Sequence, residues 1–201
     1  MSGALPSDSE TTAGAPALEE PTAAHRLPGD PTKEQLIDRI IRVDHAGEYG
    51  AKRIYEGQLA MLQGKPEAAV VRRMYEQELV HLQEFERLMV ERRARPSLLH
   101  PIWHVAGYAL GAATAFLGPK AAMACTVAVE EVIDEHYRQQ AATLGADEQP
   151  LQATIEKFRG EEMHHRDTGL AHGAQQAPGY PALTAAIKTG SKIAIWLAER
   201  I

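Results

Sequence analysis

The chain contains a single cysteine, and this scarcity limits the chemistry that it can support. Cys125 has no partner for an internal disulfide among the 201 residues, and a zinc site built from several thiolates is excluded for the same reason. Because Cys125 lies in the apolar run 121–129, we expect a buried thiol in a reducing compartment.

An excess of positive charge is also missing. Lysine and arginine together number 21 against 27 acids, which gives a net charge of −6 and a pI near 5.8. Sequence-independent binding of nucleic acid needs a basic face that neutralises phosphates, so we expect no nucleic-acid partner. With 44% hydrophobic and 24% charged residues, the composition is typical of a globular domain.

Aromatic residues are absent from residues 1–31, where five of the twelve prolines and five acids accompany one basic residue, Arg26. Such a segment cannot bury enough apolar surface to become ordered, so we predict a disordered acidic tail over 1–31 and one folded domain over 32–201. The tail has neither the Arg-rich composition of a mitochondrial presequence nor the apolar block of a secretory signal. This favours the bacterial cytoplasm.

Beyond the tail, apolar residues recur every three or four positions, which is the period of α-helices. Prolines and glycines divide this pattern. The predicted helices run from Thr32 toward Gly64, from Pro66 onward, from Pro119 to about Leu144, from about Gln149 to the prolines at 178–181, and from about Ala182 to Arg200. The fold class is therefore all-α.

One apolar segment, Leu98–Leu117, nearly matches the length of a bilayer span. Pro101 shortens its usable helix, and His100 and His104 interrupt its apolar character. We therefore predict an interfacial or core helix instead of a transmembrane one, and we favour contact with a membrane surface over plain core.

Two Glu-x-x-His pairs are the main functional signal. Glu78 with His81 and Glu162 with His165 are three residues apart, so each pair shares one helix face. Glu48 and Glu130 lie 30 and 32 residues upstream on apolar stripes, as expected for two related antiparallel hairpins. This is the ligand set of a di-iron or di-manganese centre in a ferritin-like four-helix bundle.

Helical phase decides between neighbouring candidates. Glu162 and His165 extend an apolar stripe, whereas Glu161 lies on a face that reads as solvated, and Glu131 likewise reads as a surface charge. Buried unpaired carboxylates are costly, so metal binding explains the stripes better than chance.

Three further residues lie near the predicted ligands. Asp44 and Asp134, each one turn from a ligand glutamate, either hydrogen-bond the histidines from outside or face water, and His136 is a weaker candidate for such a role.

The segment Arg42–Ala51, which reads RVDHAGEYGA, resembles the opening motif of the demethoxyubiquinone hydroxylase family. Residues 122–131 and 158–170 resemble that family too, so the resemblance covers about 35–201. The acidic tail lies outside it.

This resemblance implies six metal ligands, which match those chosen from helical phase: Glu48, Glu78, His81, Glu130, Glu162 and His165. It also implies two Fe ions as cofactor, O2 as oxidant, electrons derived from NADH, and a demethoxyubiquinone with a polyprenyl tail as substrate. No Gly-x-Gly-x-x-Gly follows a strand, so we expect reduction at the site, through the quinone or by a separate reductase. The expected location is the cytoplasmic face of a bacterial membrane, bound peripherally. The sequence leaves open a homo-oligomer and a lipid-binding partner that delivers the quinone.

Two alternatives remain at this point. The first is a ferritin-like or rubrerythrin-like protein that stores iron or detoxifies peroxide. The second, from another class, is a metal-free membrane adaptor whose buried acids pair with histidine and arginine.

Overall fold

The computed structural model describes residues 29–201, which form six α-helices and two short 3-10 helices. The α-helices are α1 Lys33–Met61, α2 Glu67–Arg92, α3 His100–Phe116, α4 Pro119–Thr143, α5 Gln149–Ala171 and α6 Tyr180–Ala198, and the 3-10 helices are Ala146–Glu148 and Ala174–Gln176. No strand occurs within 29–201, so the predicted all-α class is confirmed. The predicted tail, 1–31, lies outside the described residues except for its last three positions.

Two hairpins, α1 with α2 and α4 with α5, build the bundle. Their connections span only residues 62–66 and 144–148, which favours antiparallel neighbours. The apolar stripes of these helices form two large core clusters, besides two smaller ones. One is centred on Tyr55, Met74 and Met123, and the other contains Ile41, Phe85, Ile155 and Phe158. Along each helix, the predicted ligands lie between the two clusters.

The third helix packs closely on the first through glycines. A Cβ on Gly111 would clash with the backbone carbonyl of Ile54, and a Cβ on Gly57 would clash with that of Tyr108. The helix backbones therefore touch, as small residues allow. Close to this contact, the Tyr49 hydroxyl lies 2.5 Å from His104 Nδ1, so one of the polar interruptions predicted in the apolar segment faces α1.

The outward face of α3 is apolar and exposed. Its most exposed large side chains are Ile102, Val105 and Phe116, with Leu98 and Leu117 just beyond the ends. Ile193 and Trp196 of α6 are exposed as well. Within residues 29–201, no helix combines the length and the apolar character that crossing a bilayer requires.

One predicted helix boundary is wrong. We expected the prolines at 178–181 to end the fifth helix, but α5 already ends at Ala171. Gly173 adopts a left-handed conformation with φ of 81°, which favours glycine and stops the helix. Pro181 instead occupies the first turn of α6, where its missing N–H costs little.

Candidate metal centre

All six predicted ligands meet in the interior of the bundle, and none is more than 2% exposed. They form two overlapping groups, and within each group the ligand atoms lie within 4.8 Å of one another. The first group is Glu48, Glu78, His81 and Glu162, and the second is Glu78, Glu130, Glu162 and His165. Glu78 and Glu162 belong to both groups, so the arrangement suits two adjacent cations that share these carboxylates.

Several atoms that face the centre lack hydrogen-bond partners. Among the described residues, these buried atoms include Glu48 Oε2, both carboxylate oxygens of Glu78, and Glu130 Oε2. Buried polar atoms are normally hydrogen-bonded, and such a cluster needs an explanation. Oxygen-rich ligation with two imidazoles suits iron or manganese, so the donor set fits the predicted pair of Fe ions. Iron itself remains a prediction.

Electrostatics in the metal-free centre agree with this interpretation. Burial raises the pKa of both Glu78 and Glu130 well above the usual value. Burial acts on Glu162 too, but hydrogen bonds from His165 and His81 outweigh it and lower the pKa of Glu162 to about 2. The same contact with Glu162 overcomes burial at His81 and raises the pKa of that imidazole to about 12. Protons thus balance the acids, and a metal ion would displace them.

Both imidazoles turn the same nitrogen inward. His81 Nδ1 lies 2.8 Å from Glu162 Oε1, and His165 Nδ1 lies 3.1 Å from Glu78 Oε1. The outer nitrogens contact residues that we did not predict. His81 Nε2 is 2.7 Å from Glu161 Oε2, and His165 Nε2 is 3.0 Å from the side-chain oxygen of Gln77.

The solvated interpretation of Glu161 holds only in part. Its side chain is 31% exposed and reaches across to His81 on the other hairpin. A helical wheel assigns a face to each residue but does not show that a long side chain at the edge of that face reaches a neighbouring helix. Glu131, by contrast, pairs with Lys188 at the surface, as predicted.

For the two aspartates, the sequence left open a hydrogen bond to a ligand histidine or a water-facing position. Asp44 accepts a hydrogen bond of 2.7 Å from Gln140, and Asp134 pairs with Arg159 at 2.7 Å. Neither of these partners is a ligand histidine. Asp134 is partly exposed, as in the water-facing alternative, whereas Asp44 is buried and fits neither alternative. His136 Nε2 lies 3.7 Å from Asp44. Burial raises the pKa of Asp44 well above its usual value.

Two tyrosines hold the single glutamates across the bundle. The Tyr55 hydroxyl donates to Glu130 Oε1 over 2.8 Å, and the Tyr137 hydroxyl donates to Glu48 Oε1. Each tyrosine lies seven residues after the glutamate of its own helix and bonds the glutamate of the other helix. This equal offset is a sequence signal that could have identified both tyrosines, because it repeats in the two predicted halves.

An apolar cavity of about 340 Å³ lies among α1, α3, α4 and α6, two of which also carry predicted ligands. Its walls include Gly47, which precedes Glu48 in sequence, Ala51, which follows Glu48 by three residues, and Val129, which precedes Glu130. Leu110 and Trp103 of α3 line it from the other side. This volume falls within the range of small-molecule sites.

Comparison with known proteins agrees with the motifs. The chain is 61% identical over 182 residues to the 3-demethoxyubiquinol 3-hydroxylase of Rhodospirillum rubrum, covering 90% of this chain and 85% of the relative. It is 50% identical over 176 residues to the NADPH-dependent 3-demethoxyubiquinone 3-hydroxylase, mitochondrial, of Homo sapiens, covering 86% and 81%. It is 43% identical over 186 residues to the 5-demethoxyubiquinone hydroxylase, mitochondrial, of Saccharomyces cerevisiae, covering 83% and 78%.

The match to a protein family covers nearly all of the helical unit. Residues 35–198 match the family described as ubiquinone biosynthesis protein COQ7, and this range includes all six predicted ligands. The resemblance inferred from the motifs is thereby confirmed. The chain belongs to the ubiquinone biosynthesis protein COQ7 family.

Proposed function

We propose that this protein hydroxylates the ring of a demethoxyubiquinone in ubiquinone biosynthesis, as the names of its relatives state for those proteins. The observation that carries the proposal is the buried cluster of four carboxylates and two histidines, in a bundle whose helices α1 and α4 also line an apolar cavity. A ring hydroxylase needs both a redox centre and a dry space for an apolar substrate.

The six clustered residues would hold two Fe ions, which supply the activation of O2 that ring hydroxylation requires. Glu48 and Glu130 would be fixed by the hydroxyls of Tyr137 and Tyr55. The protein's own contribution is orientation, since reacting atoms must be held roughly 3–3.5 Å apart. The cavity walls would bind the quinone ring through apolar contacts and exclude water from the reaction.

We further propose that the opening faces a membrane. The exposed apolar face of α3 and Trp196 of α6 belong to two of the four helices that border the cavity. Exposed apolar patches of this kind mark interaction surfaces. The polyprenyl tail would stay in lipid while the ring enters between these helices. The protein would then bind peripherally, at the cytoplasmic face of a bacterial membrane.

Reduced nicotinamide remains the proposed source of electrons. NADH is our expectation, and the name of the Homo sapiens relative specifies NADPH for that protein. Both cofactors should therefore be compared directly with the same purified protein.

The direct test is turnover by the purified, iron-loaded protein. Protein, O2, a reduced nicotinamide and a short-tailed demethoxyquinone should give a product heavier by one oxygen, detected by mass spectrometry. Glu162→Ala should give none, whereas Glu156→Gln, which changes an exposed acid on the same helix, should remain active. Failure to form product despite bound iron would contradict the proposal, and a hollow multimer by light scattering would favour iron storage. Absence of bound iron would favour the adaptor.

A further inference from the structure

Each hairpin holds the histidine of the other hairpin through an equivalent residue. Gln77 and Glu161 each precede a ligand glutamate by one position, and each contacts the histidine across the bundle. His165 Nε2 lies 3.0 Å from the amide oxygen of Gln77, and His81 Nε2 lies 2.7 Å from a carboxylate oxygen of Glu161. The two halves correspond in position but differ in chemistry, with an amide on one side and a carboxylate on the other.

The orientation of the rings makes this difference relevant to a metal. Both histidines point Nδ1 at the centre, so an ion bound there leaves the proton on Nε2. That N–H then donates to the outer oxygen. Hydrogen bonds to charged acceptors are about twice as strong as neutral ones, and a carboxylate behind a metal-bound histidine increases the basicity of the ligand.

The other outer hydrogen bonds are matched between the halves. Among the described residues, Glu48 and Glu130 each accept a hydrogen bond from a tyrosine seven positions after the opposite glutamate. Lys157 lies 4.0 Å from the second oxygen of Glu161, but its side chain is 63% exposed, so water screens this contact. The two halves therefore differ in the charge of one pair of outer partners, Gln77 behind His165 and Glu161 behind His81.

From this difference we infer that Glu161 and Gln77 make the two metal positions unequal. The position held by His81 binds iron more tightly and favours the ferric state. The position held by His165 releases iron first and is reduced first. Glu161 is a positioning residue that acts through His81, and this inference rests on the proposed di-iron centre.

Four proteins test the inference: the unaltered chain, Glu161→Gln, Gln77→Glu, and the exchange that combines both substitutions. Each is loaded with iron, and the iron retained is measured against increasing concentrations of a chelator. The unaltered chain should lose iron in two phases. Glu161→Gln should weaken the tighter phase about 10-fold, the lower end of the effect of such outer partners, so that the two phases merge. Gln77→Glu should also merge the two phases, but at the affinity of the tighter one.

The exchanged protein separates this inference from a purely structural role of Glu161. Iron loss should again occur in two phases when the carboxylate is moved to position 77. The two metal positions are then unequal again, but the tighter one is held by His165. Mössbauer spectra of the four iron-loaded proteins should show the same order, with the two iron signals most distinct in the unaltered and exchanged chains. Glu156→Gln removes a charge from α5 without touching a histidine, and it should behave like the unaltered chain.

The outcomes distinguish the inference from the proposed function. Identical iron-loss curves and spectra in all four proteins, each holding about two irons, would overturn the inequality and leave the centre intact. Single-phase loss from the exchanged protein would also overturn it. If the unaltered chain binds no iron, the proposed function fails and this inference fails with it.

Discussion

At the scale of single residues, the four buried glutamates of the cluster need partners that offset the cost of burying their charge. Transferring an ion into a protein interior costs on the order of several kcal/mol even after relaxation, and four carboxylates share this interior. Glu162 is the most connected of them, since its two oxygens lie within 3.0 Å of His81 and His165. Its removal should therefore affect both metal positions.

We expect Glu162→Ala to abolish retention of iron at both positions and to reduce turnover at least 100-fold, because the shared carboxylate is lost. The measurement is iron per chain after gel filtration, followed by the hydroxylation assay. Glu131→Ala is the control, because Glu131 pairs with Lys188 at the surface. Equal iron loss in the two variants would show that helical phase had identified the wrong acids.

Residue-scale prediction from the sequence succeeded for positions on the apolar stripes and failed for the groups behind them. The six clustered side chains follow from helical phase, because burial and register are both periodic. The partners Glu161 and Gln77 depend on how far a side chain reaches across the gap between two hairpins. That distance is a tertiary quantity, which the period of one helix does not contain.

At the scale of secondary-structure elements, the contact between α1 and α3 depends on the absence of side chains. Gly111→Ala should push α3 away from the carbonyl of Ile54 and destabilise the protein by about 1–3 kcal/mol, as overpacking does. Chemical denaturation monitored by circular dichroism gives the value. Gly160→Ala, with open space around its Cβ position, should instead be neutral or stabilising.

The exposed face of α3 leads to a separate prediction about membranes. Val105→Asp should lower binding to liposomes and slow turnover of a long-tailed substrate in them, while iron content and turnover of a short-tailed soluble analogue stay unchanged. Val105 is 66% exposed, so the change should spare the fold. Val90→Asp is the matched control, since Val90 is 81% exposed on α2. Equal effects of the two substitutions would assign the binding surface elsewhere.

At the scale of the whole molecule, metal binding and stability are linked through protons. The pKa values of Glu78 and Glu130 in the folded, metal-free protein are raised above the usual 4.5, so their contribution to stability is lost as pH rises above that value. The pKa of His81 is raised from 6.5 to about 12. His81 therefore contributes to stability below pH 6.5, and this contribution decreases as pH increases above 6.5. The metal-free protein should therefore become less stable between about pH 6.5 and about pH 8.5.

Iron binding needs the same groups without their protons, so it strengthens over this range. We predict that the difference in Tm between iron-loaded and metal-free protein widens from about pH 6.5 to about pH 8.5. Differential scanning calorimetry at several pH values measures this difference. A constant or shrinking difference would mean that these buried groups do not exchange protons for metal.

The architecture of residues 29–201 was largely predictable because the helices there are long and strongly periodic. Pro66 and Pro119 predicted the first residues of α2 and α4 to within one position. The end of α5 was misplaced because the left-handed Gly173 gives a weaker local signal than the prolines that follow. The cavity could not be predicted in detail, because it depends on how four separate helices pack.

The crosswise bonds between the hairpins have a consequence for how such a centre can be assembled. A symmetric dimer of one identical hairpin could reproduce every reciprocal contact, with a tyrosine for each glutamate and one outer partner for each histidine. In that dimer any substitution would appear twice, so both cations would always have the same surroundings. Joining two hairpins in one polypeptide removes this restriction, because position 77 can carry an amide while position 161 carries a carboxylate. Covalent linkage would thus permit the two proposed iron ions to differ in affinity and in ease of reduction.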